Sequence, residues 1–200
     1  MHRAVSAHPV SRPRAWQRGR RAVAVLFQVL VLLALWVVPM ARAADPQLAS
    51  FEVVSNEEGV LLTYAVNGEL SRSVDDALSK AVPLYFVAEA ELFRDRWYWR
   101  DQRVANAVRV WRIVYQPLTS TYRVTFGGLS QHYENLSEAL VAVSRTTNWK
   151  LAEPSQLDDG RLYVEFSYQL DTTQMPRPMQ IGIGGQSDWS LKVERVRRLN

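Results

Sequence analysis

The 200-residue chain contains no cysteine. That excludes disulfides, a lipidated cysteine anchor, thiolate metal sites and cysteine nucleophiles, and leaves any folded part to be held by its core. Histidine is almost as scarce, since His132 is the only one beyond the arginine-rich start. One histidine without a thiolate does not make a transition-metal site. No Gly-x-Ser-x-Gly elbow presents a serine nucleophile, so His132 reads as an ordinary loop or strand histidine rather than part of a triad. Leu157-Asp158-Asp159-Gly160 is too short for a calcium loop and reads as a hairpin turn. Gly182-Ile183-Gly184-Gly185 is followed by neither a lysine nor a helix start, so it reads as a flexible loop rather than a phosphate cradle. The sequence predicts no cofactor, no metal and no catalytic residue.

Long apolar runs are also lacking, with one exception. Ala22 to Val38 is an unbroken stretch of 17 residues with Gln28 as its only polar member. Six arginines and no acid precede it, and Ala41-Arg42-Ala43 follows it with small residues two apart. This is the pattern of an export signal with a peptidase site at Ala41 and Ala43. The run is slightly longer than a signal core of ~7–15 residues and slightly shorter than a membrane span of ~20. The predicted organisation is therefore a signal peptide over 1–43 and a single exported domain over 44–200. The alternative is an uncleaved anchor that touches the inner membrane through residues 22–38. In either case the basic flank stays inside and the remainder lies in the periplasm after Sec export.

A basic excess is missing where it would matter. The formal charge of +4 averages two unlike parts, and without the leader's seven arginines 17 basic residues face 20 acidic ones, a balance of about −3. A nucleic-acid partner is not expected of such a surface.

Period-two alternation marks the strands. It begins at Phe51 and Val53 and recurs at Val60, Leu62, Tyr64 and Val66. It returns over Leu84–Phe93, Trp111–Gln116, Tyr122–Phe126 and Leu162–Leu170, and last at Trp189, Leu191 and Val193. Ser73-Val74-Asp75-Asp76 has capping-box spacing ahead of a helix that Pro83 stops. Leu136, Ala139, Leu140 and Val143 share the face of a second helix, capped by Asn135 or Ser137. Two-faced strands with few helices predict a mainly β fold, an antiparallel β-sandwich, Ig-like in general architecture, with two accessory helices. About 155 exported residues suffice to bury one core.

Two constellations stand out. Glu89 and Glu91 share one face of a strand, at a spacing that would suit two-carboxylate chemistry on a glycan. Arginines on neighbouring segments, among them Arg94, Arg96, Arg109 and Arg112, explain the same acids as cross-strand charge partners. The other is Arg94–Arg103 (RDRWYWRDQR), where Trp97, Tyr98 and Trp99 lie among arginines including Arg94, Arg96 and Arg100. If the segment is extended, the tryptophans share a side and Tyr98 takes the other. The rings are either core or an exposed aromatic-arginine patch, the composition of binding hot spots and of glycan stacking.

The stretch Phe93–Leu140 (FRDRWYWRDQRVANAVRVWRIVYQPLTSTYRVTFGGLSQHYENLSEAL) resembles the DUF4390 family. So do Asn148-Trp149-Lys150, Leu170-Asp171, the Gln174–Gln180 turn and Asp188-Trp189, while Lys192–Asn200 departs from the family pattern by lacking a second tryptophan. The resemblance implies an exported protein of proteobacteria whose activity is not established, a location in the envelope, and a membrane sensor kinase as a partner. It transfers no site residues. The expectation is a non-enzymatic envelope protein that binds another envelope protein or a sensor ectodomain. The alternative is a periplasmic, carboxylate-dependent glycan or peptidoglycan hydrolase.

Overall fold

The computed structural model describes residues 46–98, 100–157, 160–183 and 187–199. The apolar run 22–38, the Ala41 and Ala43 cleavage position, Trp99, Asp158, Asp159, Gly184 and Gly185 lie outside the described residues. Arg42–Asn200 forms one compact unit, mainly β, with two antiparallel sheets and three helices among the described residues.

The smaller sheet is formed by β1 (Gln47–Asn56), β2 (Gly59–Asn67) and β7 (Arg145–Ala152), in the order β1-β2-β7. The larger is built from β3 (Leu84–Arg94), β4 (Gln102–Gln116), β5 (Thr121–Phe126), β6 (Leu129–Tyr133), β8 (Leu162–Leu170) and β9 (Lys192–Arg198). Their order is β6-β5-β4-β3-β8-β9. The alternation of β2, β3 and β8 explains the packing. Val60, Leu62, Tyr64 and Val66 are buried on one sheet, and Leu84, Phe86, Ala88, Ala90, Leu92, Val164, Phe166, Tyr168 and Leu170 on the other. The sheets meet through aromatic rings, with Tyr64 lying 4.6 Å from Phe166 and 6.2 Å from Tyr168. Such tilted pairs add to the burial of the rings themselves.

The core face is not wholly apolar. Register places Arg109 opposite the buried Ala88, on the core face of β4. Its guanidinium sits 4.9 Å from the Trp149 ring and 5.4 Å from that of Phe126. Two ring faces thus take the place of a carboxylate. Burial lowers its proton affinity, but an arginine so placed remains a cation.

Three helices fill the ends: α1 (Arg72–Ser79), α2 (Leu136–Ser144) and α3 (Arg177–Ile183). The cap of α1 is Ser71, whose hydroxyl accepts from the Val74 N–H at 3.3 Å. Ser73, the expected cap, instead donates to Asp188 Oδ2 at 3.1 Å. Asn135 caps α2 by accepting from the Glu138 N–H at 2.9 Å, and Ser137 donates to that same Asn135 oxygen. The third helix corrects the expectation of two and absorbs Gly182-Ile183, which sequence spacing assigned to a loop. Trp189 is likewise not in a strand; it closes the 3-10 turn Ser187–Trp189 and is buried. Among the described residues no helix is long and apolar enough to cross a membrane.

Candidate functional site

The β3–β4 hairpin carries the aromatic-arginine segment. Pairing runs from Leu84↔Ile113 to Arg94↔Gln102, with a shift after Leu92, and beyond it the chain leaves the ladder at Asp95 and enters a turn at Trp97 and Tyr98. Trp97 and Tyr98 lie in that turn, so strand alternation no longer sorts their rings to opposite faces. Both are exposed, Trp97 at 92% and Tyr98 at 73%, with their rings edge-on at 5.2 Å. Arg96 and Arg100 are exposed beside them. Arg94 is half-buried and turned back to the scaffold, donating to Gln102 Oε1 and to the Gln156 carbonyl at 3.5 Å. Trp99 lies outside the described residues.

The tip is braced rather than loose. The Asp95 N–H donates to the Arg161 carbonyl at 2.8 Å, and Arg96 donates through its side chain to Gln102. Asp101 joins the turn to β8, accepting from the Arg96 N–H at 3.2 Å and from the Tyr163 hydroxyl at 2.7 Å. The Tyr163 bond, with help from the Arg96 N–H, holds the Asp101 carboxyl below its ordinary range. In return the carboxylate pushes the Tyr163 hydroxyl up to about 12. The signs follow: the bracing by Asp101 is in place above the ordinary carboxylate pKa and is lost as pH falls through its lowered value. Asp101→Asn should therefore return Tyr163 ionisation from about 12 towards the usual ~10, read by ultraviolet titration, with the sheet intact. A Tyr163 titration that does not move would contradict the brace.

Pairing brings in residues that lie far from the hairpin along the chain. Tyr163 faces Phe93 on one side and Arg198 on the other, and Phe93 faces Arg103. The outer face thus carries a row Arg103–Phe93–Tyr163–Arg198 across four strands, with the two rings stacked at 5.4 Å. The one hint of it in the sequence is the basic end Arg195-Val196-Arg197-Arg198.

Glu91 and Glu89 occupy that outer face too, respectively one and two steps further from the tip. Their partners are not the arginines expected. Arg103 pairs with Glu91 at 2.7 Å, and Asn106 Nδ2 donates to Glu91 at 3.4 Å and to Glu89 at 3.1 Å. Arg109 lies on the opposite face, and Arg112 faces Tyr85. The two carboxylates sit on an open sheet surface beside these donors, with Glu165 of β8 facing Glu91. His132 is exposed on β6 and faces Arg123. Among the described residues no group of three or more histidine or acidic side chains could hold a metal ion.

A concavity lies elsewhere, between the end of β2 and α2. It is an open groove of about 870 Å³ lined by Val66, Leu70, Leu136, Leu140 and Val141, with Glu69 and Arg145 at its polar margin.

No curated protein and no solved structure matched the chain. A family profile described as a domain of unknown function, DUF4390, matches residues 43–198, which is most of the chain. The segments that resemble this family by sequence include β4, β5, β6 and the middle of β7, and the chain belongs to the DUF4390 family.

Proposed function

We propose that this is a non-enzymatic envelope protein, exported by residues 1–43, whose β3–β4 hairpin binds another envelope protein or the ectodomain of a membrane sensor kinase. The reading rests on the exposure of Trp97 beside Tyr98 at a braced turn. Tryptophan, tyrosine and arginine are the residues that dominate binding energy when a partner covers them. Covering about 200 Å² of a tryptophan is worth about 5 kcal/mol before the costs of association. The scaffold is read as a β-sandwich, Ig-like in general architecture, a reading supported by the contacts of Tyr64 with Phe166 and Tyr168.

A pull-down from solubilised envelopes tests the site. The wild type should retain a partner that a Trp97→Ala, Trp99→Ala double variant loses, with the thermal midpoint unchanged. Recovery of the same partners by both proteins would exclude the hairpin as the binding site. Fractionation tests the address: a chain beginning at Ala43 or Ala44 should be released by osmotic shock, or the uncleaved chain should pellet with inner membranes. A full-length soluble cytoplasmic product would contradict export.

A further inference from the structure

We infer that the partner presents to this end of the larger sheet an extended acidic segment with apolar residues between its carboxylates. The inference rests on the proposed role of the hairpin and adds the chemistry of what the hairpin meets.

Three stretches of the chain converge here, each bringing arginine. The hairpin supplies Arg96, Arg100 and Arg103. Arg161 is tied to it through the Asp95 N–H, and Arg198 lies beside Tyr163 and close enough to Asp101 to lower its proton affinity. Among the described residues of the tip the acids are Asp95 and Asp101, and on the next rung of the sheet Glu91 faces Glu165. Asp101 is already engaged by Tyr163 and Arg96, and Glu91 by Arg103, so that with Arg94 six arginines stand against four acids. This is a local reversal in a part of the chain whose balance beyond the leader is about −3. Charge complementarity therefore calls for carboxylates.

The row Arg103–Phe93–Tyr163–Arg198 sets their spacing. Three steps between neighbouring strands cover about 14 Å, the length of about four residues of extended chain. A peptide crossing the strands would set carboxylates about four residues apart on Arg198 and on the N–H groups of Arg103 other than the Nη1 that holds Glu91, with its intervening side chains over the stacked rings. Trp97 and Tyr98 extend the apolar contact beyond the row. A fluid lipid surface has no fixed spacing for a braced tip and a four-strand row to match, so a protein segment is the better occupant.

The test uses protein recovered from cells expressing the full chain and three probes. These are a short peptide with two glutamates about four residues apart around leucine and tyrosine, its glutamine counterpart, and phosphatidylglycerol vesicles. The glutamate peptide should bind roughly tenfold or more tighter than the glutamine peptide, and its affinity should fall as salt rises. Arg103→Gln with Arg198→Gln should abolish the preference, and Arg198→Gln alone should weaken it while leaving the Arg103–Glu91 pair in place. Arg123→Gln, on β5 at the other end of the sheet, should leave the preference unchanged. Equal binding of both peptides, a preference that survives the arginine changes, or binding to vesicles in place of peptide would overturn the inference. So would saturation of the surface by a second copy of the chain, seen in sedimentation. If the tryptophan double variant loses its envelope partner while the peptides show no charge preference, only this inference falls. If that variant keeps its partner, the hairpin reading falls with it.

Discussion

Tyr64→Ala should destabilise the protein by about 3–5 kcal/mol, the range for removing a large buried ring. Tyr64 is fully buried on the smaller sheet and touches rings of both sheets: Phe166 at 4.6 Å, Tyr168 at 6.2 Å and Trp149 at 6.3 Å. Alanine would leave a void where the sheets are keyed together. Tyr64→Phe keeps the ring and isolates the hydroxyl. Burial pushes that hydroxyl up to about 12, against smaller opposing effects of Thr146 and the Arg109 guanidinium. In the unfolded chain it ionises near the ordinary ~10. Its contribution is therefore fully present below pH ~10 and is lost as pH rises through about 12. Burial raises Tyr168 in the same direction. Urea unfolding near pH 8 should show Tyr64→Phe close to wild type, and at alkaline pH the phenylalanine variant should lose less stability than wild type. Identical alkaline losses in the two proteins would contradict the buried, neutral hydroxyl.

Gly59→Ala should cost about 3 kcal/mol, although it adds a single carbon. Gly59 begins β2 with φ at +111°, and an added Cβ would stand 2.0 Å from the Ala152 carbonyl oxygen of β7. Backbone strain of about 1–2 kcal/mol and overpacking of about 1–3 kcal/mol act together, because a paired strand cannot swing aside as a side chain can. Gly127 is the control. Its φ is +56° but nothing lies within 4 Å of the added carbon, so Gly127→Ala should lose only about 1 kcal/mol. Urea midpoints of the two variants settle the difference. Equal losses would mean that β2 and β7 are not in the register described.

The contrast between these strands shows what is legible in the sequence. β2, β3 and β8 each bury one face, and their alternation can be read directly from Val60–Val66, Leu84–Leu92 and Leu162–Leu170. β7 is hidden because Asn148 sits at φ +48° and the register shifts between Leu62 and Tyr64, which breaks the period of two. β6 is hidden because an exposed edge strand, Leu129–Tyr133, has no buried face to pattern. The first half of β4 escapes notice because Ala105 and Ala107 carry too little apolar surface to mark a strand. Helix positions are clearer than their caps, since Ser71 and Ser73 both offer a hydroxyl and only tertiary contact with Asp188 decides between them.

The candidate site is legible in composition and not in shape. The run Arg94–Arg103 announces an unusual cluster, but whether its rings are core or surface depends on where the strand ends. The chain has left the ladder by Asp95, so Trp97 meets solvent instead of the core. Arg161 and Arg198 are far from the hairpin in sequence, and only the pairing of β8 with β3 and β9 brings them to it. Arg109 misleads for the opposite reason. Its sequence position suggests a surface partner for Glu89, and register turns it to the core side between Trp149 and Phe126.

The most direct measurement is photo-crosslinking in living cells from a benzoylphenylalanine placed at position 97, with one at position 118 on the exposed β4–β5 turn as reference. The expected result is a discrete adduct with one envelope protein from position 97, absent from position 118 and lost when Tyr98 and Arg100 are changed to alanine. No adduct from position 97, or the same adducts from both positions, would contradict the claim that the braced aromatic hairpin is the binding site.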